Sequence, residues 1–193
     1  MPPQGIHSLH KEERLMAKRP AIFLDRDDTL NLDEGYTQKI SDFGWIKGAP
    51  EALRLFKNAG LDVYIVTNQG GIGRGIFTQE QMQNFNDHLC AEAIKIGGVI
   101  KDVAWCPHHP LAVDPALAGP CDHRKPGPGM ILGLAKKWDI DLGSSVMIGD
   151  RDTDVAAGRA AGCHAYLFDG TDLETLARHV LTTHFPNNVI SSQ

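Results

Sequence analysis

A chain of 193 residues that is 42% hydrophobic and 22% charged is long enough to bury a substantial core and is most simply one domain. Its net charge of −5 gives no support for a nucleic-acid partner, which usually leaves a basic footprint. No apolar run approaches the length of a membrane span, and residues 1–20 have no apolar centre of signal-peptide type. Four cysteines without a secretion signal indicate reduced thiols in a cytoplasm. We expect a monomer that binds neither nucleic acid nor membrane, with residues 1–20 as a flexible leader and residues 21–193 as the folded domain.

Short apolar segments alternate with helical patterns along the chain. The predicted strands are residues 21–25, 61–66, 99–105, 144–149 and 163–168, and most are apolar and rich in Val and Ile, as strands buried on both faces should be. Helices are predicted near residues 49–59, 78–96, 128–138, 153–161 and 171–182, the second opening on a capping-box pattern from Thr78 to Gln81. This alternation predicts an α/β fold, a Rossmann-like doubly wound parallel sheet with helices on both faces. The residues after His179 look polar and partly loose.

Polar clusters follow three of these strands, at the sheet edge where ligands bind in such folds. They are DRDDT at 25–29, TNQGGIGRG at 67–75 and GDRDTD at 149–154. Each has an ordinary structural explanation, as an acidic turn, a glycine-rich loop or an acidic helix N-cap. Because the carboxyl ends of parallel strands meet at one edge, together they predict an oxygen-rich site for a hard cation, with Mg²⁺ favoured if substrate phosphate completes its shell. The crowded aspartates need a positive partner, and we expect it to be this metal ion, helped by Lys125.

Cysteine and histidine recur in two identical C-x-H pairs. Cys106 and His108 form the first pair, and Cys121 and His123 form the second after an intervening loop. Two thiolates and two imidazoles are an ordinary ligand set for a tetrahedral structural Zn²⁺. The alternatives are a buried cysteine with surface histidines, competition of His109 with His108, and a Cys106–Cys121 disulfide.

The spacing of the motifs leaves no room for a large cap domain. The intervals from Asp25 to Thr67 and from Thr67 to Lys125 are largely taken up by the predicted helices, strands and zinc loop. That loop runs directly into Arg124 and Lys125, so we expect zinc to hold these cations in place. Substrate specificity should then come from short loops around an open site.

Four segments resemble motifs one to four of the haloacid dehalogenase (HAD) superfamily of phosphohydrolases: DRDDT, VTNQGGIGRG, RKPGPGM and IGDRDTD. More narrowly, FLDRDDTLNLDEGY, TNQGGIGRGIFT, CPHHP and CDHRKPGPGM are similar to the heptose 1,7-bisphosphate phosphatases and the histidinol-phosphate phosphatases. The match runs in order from Ala21 to Asp169.

The resemblance implies a role for each matching residue. Asp25 would be the nucleophile that forms an aspartyl-phosphate, and Asp27 the general acid and then the base. Mg²⁺ would be held by Asp25, the backbone carbonyl of Asp27 and Asp150. Thr67 and Lys125 would stabilise the transferring phosphoryl group. The remaining implied substrate-binding residues are Asp33, Glu34, Gly35, Tyr36, Asn68, Gln69, Gly70, Arg124 and Arg151.

The sequence departs from the family pattern at two positions. Asp28 stands where the family usually has Gly, which leaves the nucleophile and the acid untouched. His123 stands where the related heptose phosphatases usually have a Cys, and Cys₂His₂ remains an ordinary zinc set.

The implied substrate is a small phosphorylated sugar, and removal of the 7-phosphate of a heptose 1,7-bisphosphate is the first interpretation. Arg74, Arg124 and Arg151 flank the predicted site and suit a second phosphate. A histidinol-phosphate phosphatase is the alternative, because that group shares the zinc loop and the IGDR-x-TD form of motif four. Asp33 and Glu34 would then offer an acidic loop to its cationic substrate. A phosphosugar-binding protein without activity is a third reading.

Overall fold

The fold is a five-stranded parallel sheet with helices on both faces. The computed structural model describes residues 18–189. Its strands lie in the spatial order β3-β2-β1-β4-β5, and every neighbouring pair is parallel. The doubly wound α/β prediction is confirmed, with each strand within a few residues of its expected place. The strands are β1 (Ala21–Leu24), β2 (Asp62–Asn68), β3 (Asp102–Cys106), β4 (Val146–Gly149) and β5 (His164–Leu167).

Helices connect the strands and cover both faces of the sheet. The predicted capping box is present: the Thr78 hydroxyl accepts from the Gln81 N–H at 3.1 Å, and the Gln81 side chain accepts from the Thr78 N–H at 2.8 Å. Two four-residue helices, α2 and α7, were not predicted, because so short a segment carries no helical period. The helices are α1 (Ala49–Asn58), α2 (Gly70–Gly73), α3 (Gln79–Lys95), α4 (Gly129–Trp138), α5 (Asp152–Ala160), α6 (Leu173–His184) and α7 (Pro186–Val189).

Alternate residues of the central strand face opposite layers of the core. Ile22 and Leu24 of β1 belong to the cluster that includes buried residues of α1, α3 and α6. Ala21 and Phe23 belong to the cluster that includes buried residues of α4 and α5. All four are at most 1% exposed, so β1 is buried on both faces, as its apolar sequence predicts.

The chain ends lie partly outside the described residues. Residues 1–17 of the leader predicted for residues 1–20 lie outside the described range, so that boundary stays a prediction. Arg19 forms an isolated bridge with Ile140 beside the sheet. At the other end Phe185 is 5% exposed and belongs to the core, and the Asn188 side chain donates to the Ala59 carbonyl at 2.8 Å. The polar tail is therefore packed as far as this point.

The described part of the chain contains no separate cap domain, as predicted from the motif spacing. Between β1 and α1 it adds a 3₁₀ turn at Ile40–Asp42, and between β3 and α4 a loop with a 3₁₀ turn at Pro115–Leu117. Within residues 18–189 no helix has both the length and the apolar character that a bilayer crossing requires. The cleft above the sheet edge is thus bordered by loops, by the end of β2 and by the first turns of α2 and α5.

Two helical glycines test the packing of α5 on the sheet. A Cβ at Gly158 would lie 2.6 Å from the Met147 Cβ, whereas a Cβ at Gly133 in α4 would have no neighbour within 4 Å. We expect Gly158→Ala to lower the free energy of unfolding by about 1–3 kcal/mol through overpacking. The control, Gly133→Ala, should raise it by about 0.5–1 kcal/mol because glycine weakens a helix interior. Urea denaturation measures both, and equal stability of the two variants would contradict this packing.

Candidate active site

A buried ammonium group joins two of the acidic clusters. Lys125 Nζ lies 2.6 Å from Asp25 Oδ1 and 2.7 Å from Asp154 Oδ1, and it donates to the Val66 carbonyl at 2.7 Å. Lys125 is 4% exposed, Asp25 7% and Asp154 1%. The strand ends after β1 and β4 therefore converge on one cation at the carboxyl edge of the sheet.

This arrangement leaves negative charge uncompensated. Burial raises the pKa of Asp25 to about 7 against the opposing effect of Lys125, and the charges of Asp154 and Asp27 add to the rise. Desolvation lowers the pKa of Lys125, but its two carboxylate partners outweigh it and the net shift is upward. Lys125 thus stays charged, and the carboxylates around it have room for a further positive charge.

The donor set fits a hard divalent cation. One carboxylate oxygen from each of Asp25, Asp150 and Asp154 lies within 4.8 Å of the others. Asp154 is already engaged, because Oδ1 pairs with Lys125 and Oδ2 accepts from the Arg151 N–H at 3.0 Å. The contacts of Asp150 are longer, with Thr29 Oγ1 at 3.3 Å and with Arg151 Nε at 3.6 Å. Asp25 and Asp150 are therefore the better ligand candidates, and carboxylate oxygens are what Mg²⁺ prefers.

A second buried cation, Arg26, holds Asp27. The guanidinium is 1% exposed and donates to both Asp27 oxygens at 2.9 Å each, and it donates to the Asn86 side chain at 3.0 Å. Gln69 and Asn31 donate to the same carboxylate at 2.9 Å and 3.2 Å. Expecting only a metal ion and Lys125 to compensate the cluster was incomplete. The missed signal was the Arg that stands between the two aspartates.

Asp28 occupies a backbone conformation that explains the glycine usual at this position. Its φ is 58°, in the left-handed region where glycine is free and Asp is tolerated. Its N–H donates to the Asn31 carbonyl at 2.8 Å, and its Oδ1 accepts from the Asp33 N–H at 3.2 Å. The carboxylate that departs from the family pattern thus anchors the start of the Asp33–Tyr36 loop.

The Asp33–Tyr36 loop closes on itself and on the loop after β2. Asp33 Oδ1 accepts from the Thr37 N–H at 2.6 Å, and the Glu34 N–H donates to the Thr37 hydroxyl at 3.2 Å. The Arg74 guanidinium donates to the Tyr36 hydroxyl at 2.5 Å and lies 5.4 Å from the centre of its ring. Short side-chain contacts therefore shape the mouth of the cleft.

Most of the predicted site residues line one cleft of about 460 Å³. Among the predicted residues, Glu34 and Asp150 are not part of its lining. His109, Asp152, Thr153 and Asp154 also line the cleft, and none of them was among the predicted site residues. The predicted residues on its surface are Asp25, Asp27, Asp33, Gly35, Tyr36, Thr67, Asn68, Gln69, Gly70, Arg124, Lys125 and Arg151.

Asn68 is tied to the backbone of Lys125. Its Nδ2 donates to the Lys125 carbonyl at 3.0 Å, and its Oδ1 accepts from the Lys125 N–H at 3.0 Å. The neighbouring Thr67 hydroxyl accepts from Gln69 at 2.8 Å. The Asn68 amide thus holds the loop that carries Lys125, and its role toward substrate stays a prediction.

Three of the four predicted zinc ligands lie together. Cys106 Sγ is 3.6 Å from His108 Nδ1 and 3.7 Å from Cys121 Sγ, and one atom of each lies within 4.8 Å of the others. Both thiols are free, so the disulfide alternative is not formed. Burial raises the pKa of Cys106 to about 11. His123 is exposed and lies outside this group.

The chain is similar to known proteins whose described activities agree with the chemistry of this site. Residues 123–190 match the model of the HAD-hydrolase-like family. The D-glycero-β-D-manno-heptose-1,7-bisphosphate 7-phosphatase of Rhodopseudomonas palustris is 40% identical over 85% of this chain and 91% of its own. A Photorhabdus laumondii phosphatase named for the α anomer is 39% identical over 75% of this chain and 79% of its own.

Solved structures share the fold over most of the chain. A protein from Mesorhizobium loti described as HAD-like phosphatase has a TM-score of 0.76 at 34% identity, covering 80% of this chain and 75% of that one. The D,D-heptose 1,7-bisphosphate phosphatase of B. bronchiseptica, complexed with magnesium and phosphate, has a TM-score of 0.74 at 28% identity, covering 85% and 99%.

A parallel sheet with an Asp-x-Asp pair at its carboxyl edge and a buried lysine opposite defines a HAD-type hydrolase. Within that superfamily the chain belongs to the family of D-glycero-D-manno-heptose-1,7-bisphosphate 7-phosphatases. The resemblance of its motifs is therefore confirmed, and so is its assignment to the phosphatases.

The anchoring role of Asp28 can be tested by stability. Asp28→Asn keeps an oxygen acceptor for the Asp33 N–H and tolerates a left-handed φ, so we expect its free energy of unfolding to stay within about 0.5 kcal/mol of the wild type. Asp28→Ala loses the acceptor and keeps the strained backbone, so it should be about 1–2 kcal/mol less stable. Equal unfolding midpoints of the two variants in urea would rule out the anchor.

Proposed function

We propose that the protein is a Mg²⁺-dependent phosphatase that removes the 7-phosphate of D-glycero-D-manno-heptose 1,7-bisphosphate. The observation that carries the proposal is the buried contact of Lys125 with Asp25 on the wall of the cleft. It pairs a carboxylate nucleophile with a cation suited to the charge of a phosphoryl group. Membership of the heptose-bisphosphate phosphatase family supports the choice of substrate.

Asp25 is the nucleophile in this mechanism. One of its oxygens attacks the phosphorus, an aspartyl-phosphate bond forms, and the bond from phosphorus to the sugar oxygen breaks. Lys125 and the Thr67 hydroxyl donate to the oxygens of the transferring group and stabilise their charge in the transition state. Asp154 keeps the Lys125 ammonium in place for this task.

Asp27 handles the proton in both steps. It protonates the departing sugar oxygen, and it then takes a proton from the water that attacks phosphorus, which releases phosphate and restores Asp25. Arg26 and Gln69 donate to the same Asp27 oxygen and hold the carboxylate in place. In the first step Asp27 carries the proton on one of its oxygens, and that oxygen then gives up one of its hydrogen-bond donors.

Mg²⁺ would be held by Asp25, Asp150 and the backbone carbonyl of Asp27. Bound there, the ion supplies charge compensation for the nucleophile and the phosphate as they approach each other. The cluster of carboxylate oxygens supports this assignment. So does the magnesium in the B. bronchiseptica relative.

The lining of the cleft favours an anionic over a cationic substrate. Arg124 and Arg151 lie on its surface, whereas Glu34 does not. Asp33 does line the cleft, but one of its oxygens is engaged by the Thr37 N–H. Histidinol phosphate carries a positively charged amine. The cleft therefore offers it fewer favourable contacts than it offers a sugar with two phosphates.

The function is tested by phosphate release from both anomers of heptose 1,7-bisphosphate and from histidinol phosphate, with Mg²⁺ present. We expect the highest kcat/KM on a heptose bisphosphate, and a loss of about 10³-fold or more in Asp25→Asn, because the nucleophile is removed. Asp87→Asn, the same change on the exposed face of α3, is the control and should match the wild type. A higher kcat/KM on histidinol phosphate, or an active Asp25→Asn protein, would refute the proposal.

We further propose a structural Zn²⁺ held by Cys106, His108, Cys121 and His123. The grouping of the first three supports the site. His123 follows Cys121 by two residues and would complete the set as the fourth ligand. The loop continues into Lys125, so zinc would steady the chain that carries this ammonium.

Metal analysis tests the zinc site. We expect about one zinc per chain in the wild type and a clear loss in Cys121→Ser, because a thiolate ligand is removed. His123→Ala should bind zinc more weakly, and Cys90→Ser, which lies in α3, should keep it. Equal zinc content in Cys121→Ser and Cys90→Ser would contradict the site, and full affinity in His123→Ala would exclude His123 as a ligand.

The proposal extends to the cellular location and the oligomeric state of the protein. The four free cysteines support a reducing cytoplasm. The described residues of a single chain supply every group used in the mechanism, which supports a monomer. A separate N-terminal leader in residues 1–20 remains part of this proposal.

A further inference from the structure

His109 is a half-buried residue on the wall of the cleft that the mechanism above leaves unused. It follows His108 in the zinc loop, yet it lies outside the group formed by Cys106, His108 and Cys121. The His109 side chain is therefore not grouped with the proposed zinc ligands, whereas that of His108 is. The same cleft is lined by Asp25 and by Arg124.

The hydrogen bonding of His109 decides which nitrogen carries the proton. The Leu111 N–H donates to His109 Nδ1 at 3.0 Å. A nitrogen that accepts has a free lone pair, so in the neutral imidazole the proton resides on Nε2. The backbone of the loop thus sets His109 as a neutral donor through Nε2.

Gly70 makes room for the donating edge of the ring. A Cβ at this position would lie 2.9 Å from His109 Cδ2, the carbon bonded to Nε2, and 3.2 Å from an Arg124 guanidinium nitrogen. The Arg124 guanidinium is itself fixed, because it donates to the His108 carbonyl at 2.6 Å. Two donors, one neutral and one charged, therefore meet beside Gly70.

We propose that His109 is a specificity-determining residue whose Nε2–H donates to an oxygen of the substrate's second phosphate, next to Arg124. This inference rests on the proposed function, since only a bisphosphorylated substrate has that group. In the proposed mechanism the reacting phosphate binds at Asp25 and Lys125. The two donors beside Gly70 are then available to the phosphate at the other end of the substrate. A phosphate oxygen accepts from both donors, whereas an ammonium group accepts from neither.

The experiment compares heptose 1,7-bisphosphate with the 7-monophosphate of the same heptose. His109→Leu removes the donor, and His109→Gln keeps an N–H at a similar reach. We expect His109→Leu to raise KM for the bisphosphate about tenfold, with kcat and the kinetics on the monophosphate within about twofold of the wild type. His109→Gln should recover most of the loss. Leu111→Ala is the control in the same loop, because it keeps the backbone N–H that holds Nδ1.

The ratio of the two kcat/KM values within one variant is the readout, since general disorder of the active site lowers both. His109→Asn, whose amide is too short, replaces the Leu variant if that protein does not fold. An unchanged ratio in a variant without the donor overturns the role of His109 and leaves the proposed function standing. A wild type that hydrolyses the monophosphate but not the bisphosphate overturns both.

Discussion

The active site depends on one buried ammonium group, that of Lys125, between the carboxylates of Asp25 and Asp154. Removing one partner of such a pair leaves a charge in a low-dielectric surrounding, which typically costs about 3–5 kcal/mol. The arrangement aligns Asp25, the proposed nucleophile, with a cation before any substrate arrives. Arg26 compensates the charge of Asp27 in the same way, as a buried cation paired with a carboxylate. Crowded aspartates are thus separated into two sets, each with its own counter-charge.

The sheet supplies the geometry that makes this separation possible. β1 lies between β2 and β4, so the residues that follow these strands reach a common edge. Lys125 belongs to none of these strands and lies in the loop before α4. Its backbone N–H and carbonyl are hydrogen-bonded to the Asn68 side chain. The candidates for nucleophile and metal ligand are therefore positioned by the strands that they follow. The cation is positioned by a loop that is hydrogen-bonded to the end of β2.

The sequence alone was informative wherever a local pattern decides the outcome. The continuous apolar run of β1, the Thr78 capping box and the position of acidic residues after strands all predict features that the structure contains. Contacts between distant segments were beyond its reach. No local pattern shows that Arg26 turns toward Asp27 and not toward solvent, or that Asn68 is used by the Lys125 backbone. The placement of His109 on the cleft wall likewise depends on how the loop after β3 folds over Gly70.

The paired hydrogen bonds between Asn68 and residue 125 have a consequence for how this family can diversify. Because they tie the cation's main chain to β2, the stretch from 110 to 120 can change in length or composition without displacing the ammonium from its carboxylates. Evolution is then free to remodel this stretch, which follows His109 of the cleft wall, while the proposed phosphoryl-transfer groups stay where they are.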